Sequence, residues 1–226
     1  MSDKIVSVAI DGPSGAGKST IARALANELG YVYVDTGALY RTVGYAVLQN
    51  GIDPKDAAAV EALLPQIQVT MGYVNGEQRV FLNEQDVSGF IRTPEVSMAA
   101  SATSAMPPVR QFLFHLQQEM AQKHSVIMDG RDIGTVVLPF ATVKIFLTAS
   151  AEVRAERRFI ELQEKGMSVT YEEVLADMKE RDYNDSHRAT APLKPAEDAV
   201  LVDTSGNTLE EAIARMKEVV QNALKE

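Results

Sequence analysis

Gly12-Pro13-Ser14-Gly15-Ala16-Gly17-Lys18-Ser19 decides the fold because of what stands on either side of it. Before it, Ile5-Val6-Ser7-Val8-Ala9-Ile10 is a β-branched apolar run that ends at Asp11-Gly12 and reads as a buried strand. After it, Ile21, Leu25, Ala26 and Leu29 recur at helical spacing within Ser19–Leu29. Strand, glycine-rich turn, helix is the context in which the pattern G-x-x-x-x-G-K-[ST] cradles phosphate. Glycines let the backbone wrap an anion so that successive N–H groups point inward, and the helix adds its positive end. Lys18 can then reach terminal phosphates, and the Ser19 hydroxyl can join the coordination of Mg²⁺.

Working outward, Tyr31–Val34 is a second short strand, and Gly37–Gln49 is helical with Leu39, Val43, Ala46 and Val47 on one side. This alternation predicts an α/β fold with a parallel central sheet flanked by helices. The rhythm breaks between Ile67 and Ser101. There Ile67-Gln68-Val69-Thr70 alternates, Asn75-Gly76 signals a hairpin, and Val80-Phe81-Leu82 follows, which predicts a small, mostly β insert. Pro107-Pro108 opens a helix that runs to about Lys123. Val126-Ile127-Met128 and Val143–Leu147 resume the sheet, and a helix over Ala151–Lys165 is closed by Gly166. Thr170 and Glu173 have capping-box spacing for a helix that carries Val174, Leu175 and Met178, with the polar stretch Arg181–Arg188 after it. Ala199–Val202 is a final strand, and Thr208 with Glu211 starts a terminal amphipathic helix.

Composition narrows the class. The 226 residues suit one core, or a core with a small insert, and 46% hydrophobic with 23% charged residues argues against disorder. Lys+Arg 22 minus Asp+Glu 31 gives −9, a balance that argues against a sequence-independent duplex binder. With no cysteine, disulfide scaffolds, thiolate zinc sites and Cys nucleophiles are excluded together. His115, His124 and His187 are too scattered for a metal-ligand spacing. No apolar stretch approaches the roughly 18–20 residues of a spanning helix, and MSDKIVSVAI lacks a secretory apolar region. The expectation is a cytoplasmic enzyme or binding protein with no nucleic-acid or membrane partner.

Asp129 follows an apolar strand and can sit beside Ser19 to hold the metal through water, or can cap the Asp129-Gly130 turn. Five arginines, Arg41, Arg110, Arg131, Arg181 and Arg188, stand beside small polar residues in turns or at helix edges. Arg131 lies just past a strand's carboxyl end, where open α/β sheets bind ligands. Arg181 and Arg188, seven apart, return to one side of a helix, and such a segment can close over phosphates as a lid; a surface ion-pair ladder with Asp185 is the alternative. Arg154, Arg157 and Arg158 alternate with Glu152, Glu156 and Glu161 and read as a solvated face. Asp35 and Thr36 can each cap the helix that follows them. No N-K-x-D segment of the kind GTPases use is present.

Taken together, several strings resemble bacterial cytidylate kinases, nucleoside monophosphate kinases of the P-loop class. They are IDGPSGAGKST (Ile10–Thr20), DTGALYR (Asp35–Arg41), DVSGFIRTPEVS (Asp86–Ser97), PVR (Pro108–Arg110), DGRDIGTVVLP (Asp129–Pro139) and RDYNDSHRATAPL (Arg181–Leu193). The resemblance spans the whole chain and implies a P-loop kinase fold over residues 1–226, a β-containing monophosphate-binding insert over 63–101 and a short lid over 178–192. It implies phosphorylation of CMP and dCMP by ATP with Mg²⁺, in pyrimidine nucleotide metabolism, by a monomer. ATP would be bound by Gly12, Pro13, Ser14, Gly15, Ala16, Gly17, Lys18, Ser19 and Thr20, with Mg²⁺ on Ser19 and, through water, Asp129.

Carried over residue by residue, Ser101, Arg110 and Asp132 would contact cytosine, and Arg41, Arg131 and Arg181 the acceptor phosphate. Asp185, Arg188 and Thr36, which stands where many relatives have Ser, would hold the ribose. Lys18, Arg131, Arg181 and Asp129 would carry catalysis. Gln118 stands where relatives often carry Arg. A P-loop kinase for another small acceptor, or a non-catalytic nucleotide switch, are the other classes. The arginines outside the loop speak against the switch, which needs no second phosphate clamp.

Overall fold

A computed structural model describes residues 5–75 and 77–225, so Gly76 and the first four residues of the MSDKIVSVAI stretch lie outside the described residues. In chain order the first elements are β1 (Ser7–Asp11), α1 (Lys18–Leu29), β2 (Val32–Asp35), α2 (Thr36–Gln49) and α3 (Ala57–Leu63). Next come β3 (Val69–Val74), β4 (Glu77–Leu82), β5 (Gln85–Asp86), α4 (Pro94–Ser104) and α5 (Pro107–Lys123). The chain continues with β6 (Val126–Gly130), β7 (Val143–Thr148), α6 (Ala151–Glu164), α7 (Tyr171–His187), β8 (Val200–Asp203) and α8 (Leu209–Ala223). These elements pack as two compact units. One holds the described residues up to Tyr33 with those from His124 onward, and the other is Val34–Lys123.

The first unit is built on a five-stranded sheet in the order β2-β6-β1-β7-β8. β1 pairs in parallel with β6 on one side and β7 on the other, and β7 pairs in parallel with β8. Its apolar runs are strands because both faces are covered. On one face Val8, Ile10, Ile127, Ile145 and Leu147 are buried with Ile21 and Leu25 of α1 and with Met216 and Val220 of α8, and on the other Ala9 and Met128 are fully buried as well. The crossover from β1 to β2 and the step from β6 to β7 place β1 where the strand order reverses, so ligands are expected outside its carboxyl end. Register aligns Ile10 with Asp129 and Asp11 with Gly130, which brings those two strand ends level.

The second unit carries a three-stranded antiparallel sheet, β3-β4-β5, packed with α2, α3 and α5 around Leu39, Val43, Val60, Val69, Val80 and Leu113. Val74 faces Glu77, so β3 and β4 form an antiparallel hairpin, and Asn75 takes a φ of 54°; Gly76, the other half of the hairpin signal, lies outside the described residues. The mostly β character expected over Ile67–Ser101 ends at Asp86, and Pro94–Ser104 is helix α4. Its cause is local: Thr93 accepts a hydrogen bond from the Val96 N–H at 3.2 Å with Pro94 in the first turn. α4 lies hard against α2, since a Cβ on Gly44 would stand 2.7 Å from the Ala100 nitrogen. α3, capped by Asp56, was not expected, and α7 runs on to His187, so the polar stretch Arg181–Arg188 is helix for all but its last residue.

Candidate active site

At the carboxyl end of β1 the chain leaves the sheet through Gly12. No other residue fits there, because a Cβ would stand 1.9 Å from the Leu147 carbonyl oxygen at a φ of 151°. Gly17 takes a φ of 88° and caps α1 without a side chain, so it offers no acceptor of its own to the first N–H groups of the helix. Lys18 is buried and donates from Nζ to the Pro13 carbonyl at 2.7 Å, folded back into the loop whose phosphates it would meet. Burial, and then Arg131, hold its ammonium well below the usual lysine range, against the pull of Asp129, Asp11 and Asp185.

Two buried aspartates stand at the strand ends. Asp129, within β6, accepts from the Ser19 hydroxyl at 2.9 Å through Oδ2 and from the Tyr33 hydroxyl at 2.9 Å through Oδ1. A hydroxyl and a carboxylate held together at the first turn of α1 are hard oxygen donors of the type Mg²⁺ takes. Asp11 accepts from the backbone N–H groups of Ile133 and Gly134, each at 2.7 Å, and so ties the end of β1 to the π-helical turn Ile133–Val137 that follows Asp132. Burial, with Asp132 nearby, lifts its carboxyl to about 6 against those two hydrogen bonds and Lys18.

Just past β6, Arg131 donates from Nε to Asp185 at 2.8 Å, and Arg188 lies 3.5 Å from Asp132, joining the strand end to α7. Asp185 is 6% exposed, which removes it from the surface ladder that its spacing allowed. Burial pushes its carboxyl up, but Arg131 first, with Arg181 and Arg188, holds it below the usual carboxylate range. One unit therefore brings together Gly12–Thr20, Asp129, Arg131, Asp132, Arg181, Asp185 and Arg188.

The other unit holds Thr36, Arg41, Ser101 and Arg110. Asp35 caps α2 through the Ala38 N–H at 2.8 Å and pairs with Arg41 at 3.0 Å and Arg92 at 3.5 Å. Burial raises the Asp35 carboxyl, but Arg41 and then Arg92 bring it below its usual range. Thr36 is buried behind this cap. Arg110 lies 5.6 Å over the Tyr40 ring and donates to the Ser104 carbonyl at 3.2 Å, at the end of the helix that carries Ser101.

Sequence reasoning misplaced Arg154. It is buried, not solvated, and donates to the Ala149 carbonyl at 2.8 Å, to the Ser14 carbonyl at 3.0 Å and to both oxygens of Asp182. Tyr33 and Asp11 are also beyond what the motifs signalled. A phosphate loop after the central strand of a parallel sheet, with a carboxylate on the neighbouring strand beside its serine, defines a P-loop kinase fold. A crystal structure of shikimate kinase from Bacteroides thetaiotaomicron shares that fold, with a TM-score of 0.50 at 13% identity over 96% of this chain and 99% of that one. The family model for cytidylate kinase matches residues 8–222. A cytidylate kinase of Caldicellulosiruptor bescii is 50% identical over 222 residues, 98% of each chain. One of Pasteurella multocida is 46% identical over 224 residues, 99% of this chain and 98% of that one. The chain belongs to the cytidylate kinase family.

Proposed function

We propose that the protein transfers a phosphoryl group from ATP directly to CMP, and to dCMP, yielding the diphosphate. Family membership across residues 8–222, on a chain whose phosphate loop is intact, carries this conclusion. The acceptor is a phosphate oxygen that is already anionic at neutral pH, so the protein supplies no nucleophile and no strong base; positioning and charge stabilisation do the work. Gly12–Thr20 bind the ATP phosphates through backbone N–H groups, and Lys18 leaves its Pro13 partner for them. Arg131 and Arg181 neutralise charge on the transferring group. When bound, Mg²⁺, held by Ser19 and through water by Asp129, screens the charge of the ATP phosphates.

On the acceptor side, Arg41, Arg131 and Arg181 hold the CMP phosphate, and Thr36, Asp185 and Arg188 the ribose. Asp132 accepts from the cytosine amino group while Ser101 and Arg110 donate to the ring acceptors. The ion pair of Asp132 with Arg188, at 3.5 Å, supports this role, since it holds the carboxyl in place just past the end of β6. Residues 63–101 serve as the monophosphate-binding insert and residues 178–192 as the lid. The protein works as a cytoplasmic monomer on these small substrates, with no nucleic-acid or membrane partner. Among the described residues no helix is long and apolar enough to cross a membrane.

Uracil presents a carbonyl where cytosine presents its amino group, and that carbonyl would face a carboxylate. Assayed for ADP release with CMP, dCMP, UMP, AMP and GMP in turn, the protein is expected to favour the two cytosine nucleotides. Asp132→Ala is expected to narrow the CMP-to-UMP ratio of kcat/KM by roughly 5- to 150-fold, the worth of one specific base contact. An unchanged ratio would remove Asp132 from base recognition.

A further inference from the structure

Arg154 joins three segments of one compact unit with a single planar group. Its Nε donates to the Ala149 carbonyl between β7 and α6, and its Nη1 to the Ser14 carbonyl of the phosphate loop. Nη1 and Nη2 reach the two carboxylate oxygens of Asp182 on α7, at 3.0 Å and 2.5 Å. The packing around it leaves no slack. A Cβ on Gly15 would stand 3.2 Å from both the Arg154 Cβ and the Met178 terminal methyl, so α6 and α7 seat directly on the loop.

Asp182 is next to Arg181 and three residues before Asp185, which binds Arg131 at 2.8 Å. At 3.6 residues per turn, whatever fixes the rotation of α7 at Asp182 also fixes where Arg181 and Asp185 point. We propose that Arg154 and Asp182 are a positioning pair, which registers α7 against the phosphate loop and thereby sets the placement of Arg181 and Asp185 for phosphoryl transfer. The proposal rests on the transfer reaction of the preceding subsection. Two physical points favour register over stability as the pair's role. The Asp182 side chain is 26% exposed, and an ion pair with one partner partly in water adds little net stability. The forked, two-point geometry is one that Arg offers and Lys does not.

Asp182→Asn keeps the shape and removes the charge, and Arg154→Lys keeps the charge and removes the fork. Two readouts test the pair. In amide hydrogen exchange on the nucleotide-free protein, Asp182→Asn is expected to speed exchange in the second half of α7 and in the phosphate loop, and to leave α8 unchanged. In kinetics it is expected to lower kcat about 10- to 100-fold with little change in the KM for ATP, and Arg154→Lys, which loses the fork, by at least as much. Arg181→Ala should then cost less in the Asp182→Asn background than in the unaltered protein, because residues that act together are non-additive. Uniform loosening of all helices, unaltered exchange in α7, or strictly additive effects on kcat would overturn the proposal. Failure of the unaltered protein to turn over CMP would count against the reaction instead, and the exchange readout would still judge the pair.

Discussion

Thr170 and Glu173 open α7 as Thr208 and Glu211 open α8, with reciprocal hydrogen bonds of nearly equal length: 3.2 and 2.8 Å in one, 3.2 and 2.9 Å in the other. Beyond the caps the two helices part. α8 buries Ala212, Met216 and Val220 at a spacing of four to its end. α7 buries Val174 and Met178 in the same way, and then the stripe passes to Asp182 and Asp185. An apolar stripe that keeps its period while its chemistry turns to charge marks a helix that passes from core to site. The sequence reading set the polar stretch Arg181–Arg188 after this helix, although the seven-residue spacing of Arg181 and Arg188 already returned both to one side of a helix.

The largest effect should come from the charged half. Arg181→Ala is expected to lower kcat by roughly 10³- to 10⁵-fold, the range seen when a phosphoryl-transfer arginine is lost. Arg215→Ala, at an α8 position that donates to the Asp203 carbonyl at 3.3 Å, should leave kcat unchanged. A pure KM effect in Arg181→Ala would erase the distinction between the helices, because the arginine would then bind ground state and transition state alike.

The same contrast explains what could be read from the sequence. Strands β1, β6 and β7 were legible as short apolar runs, because a parallel sheet covered on both faces demands apolar residues throughout, whereas β8, at the sheet's edge with Val200 and Leu201 exposed, was legible from its own apolar run alone. The phosphate loop was legible because Gly12, Gly15 and Gly17 meet steric demands that only glycine satisfies. Helix α4 was missed because the hairpin signal at Asn75-Gly76 was extended past Asp86, although Thr93-Pro94 is itself a helix start. Arg154 was missed because Glu152, Glu156 and Glu161 surround it in sequence and suggest a ladder on the surface. Its one local signal is the buried Ala155 beside it, on the seam that Leu162 continues. Strand order carries no local signal at all, since β6 enters between β1 and β2 from more than 90 residues away.

Truncating the buried methionines gives the next effect. Met216 is fully buried in the core under the sheet, and Met216→Ala should cost about 2–5 kcal/mol of unfolding free energy while kcat of the folded protein is kept. Met178 is 6% exposed, so Met178→Ala should fall at the lower end of that roughly 2–5 kcal/mol range. It should also lower kcat, because its terminal methyl packs where Gly15 bends. Urea unfolding and turnover measured on one preparation separate the two effects. Equal kinetic consequences in both variants would show that the loop does not feel α7.

The smallest effect tests where the two helices begin to differ. Thr170→Ala and Thr208→Ala each remove an N-cap acceptor, and each should cost about 1 kcal/mol, the usual worth of such a cap. The first turn of α7 lies 11 residues, roughly 16 Å at 1.5 Å per residue, from Arg181. Fraying at Thr170 stays local, because Val174 and Met178 are buried between the cap and the charged half. Both variants should therefore keep kcat and KM, and should be indistinguishable in urea. A drop in kcat confined to Thr170→Ala would carry the coupling back through the apolar half, and the boundary between core and site in α7 would then lie at its first turn instead of at Asp182.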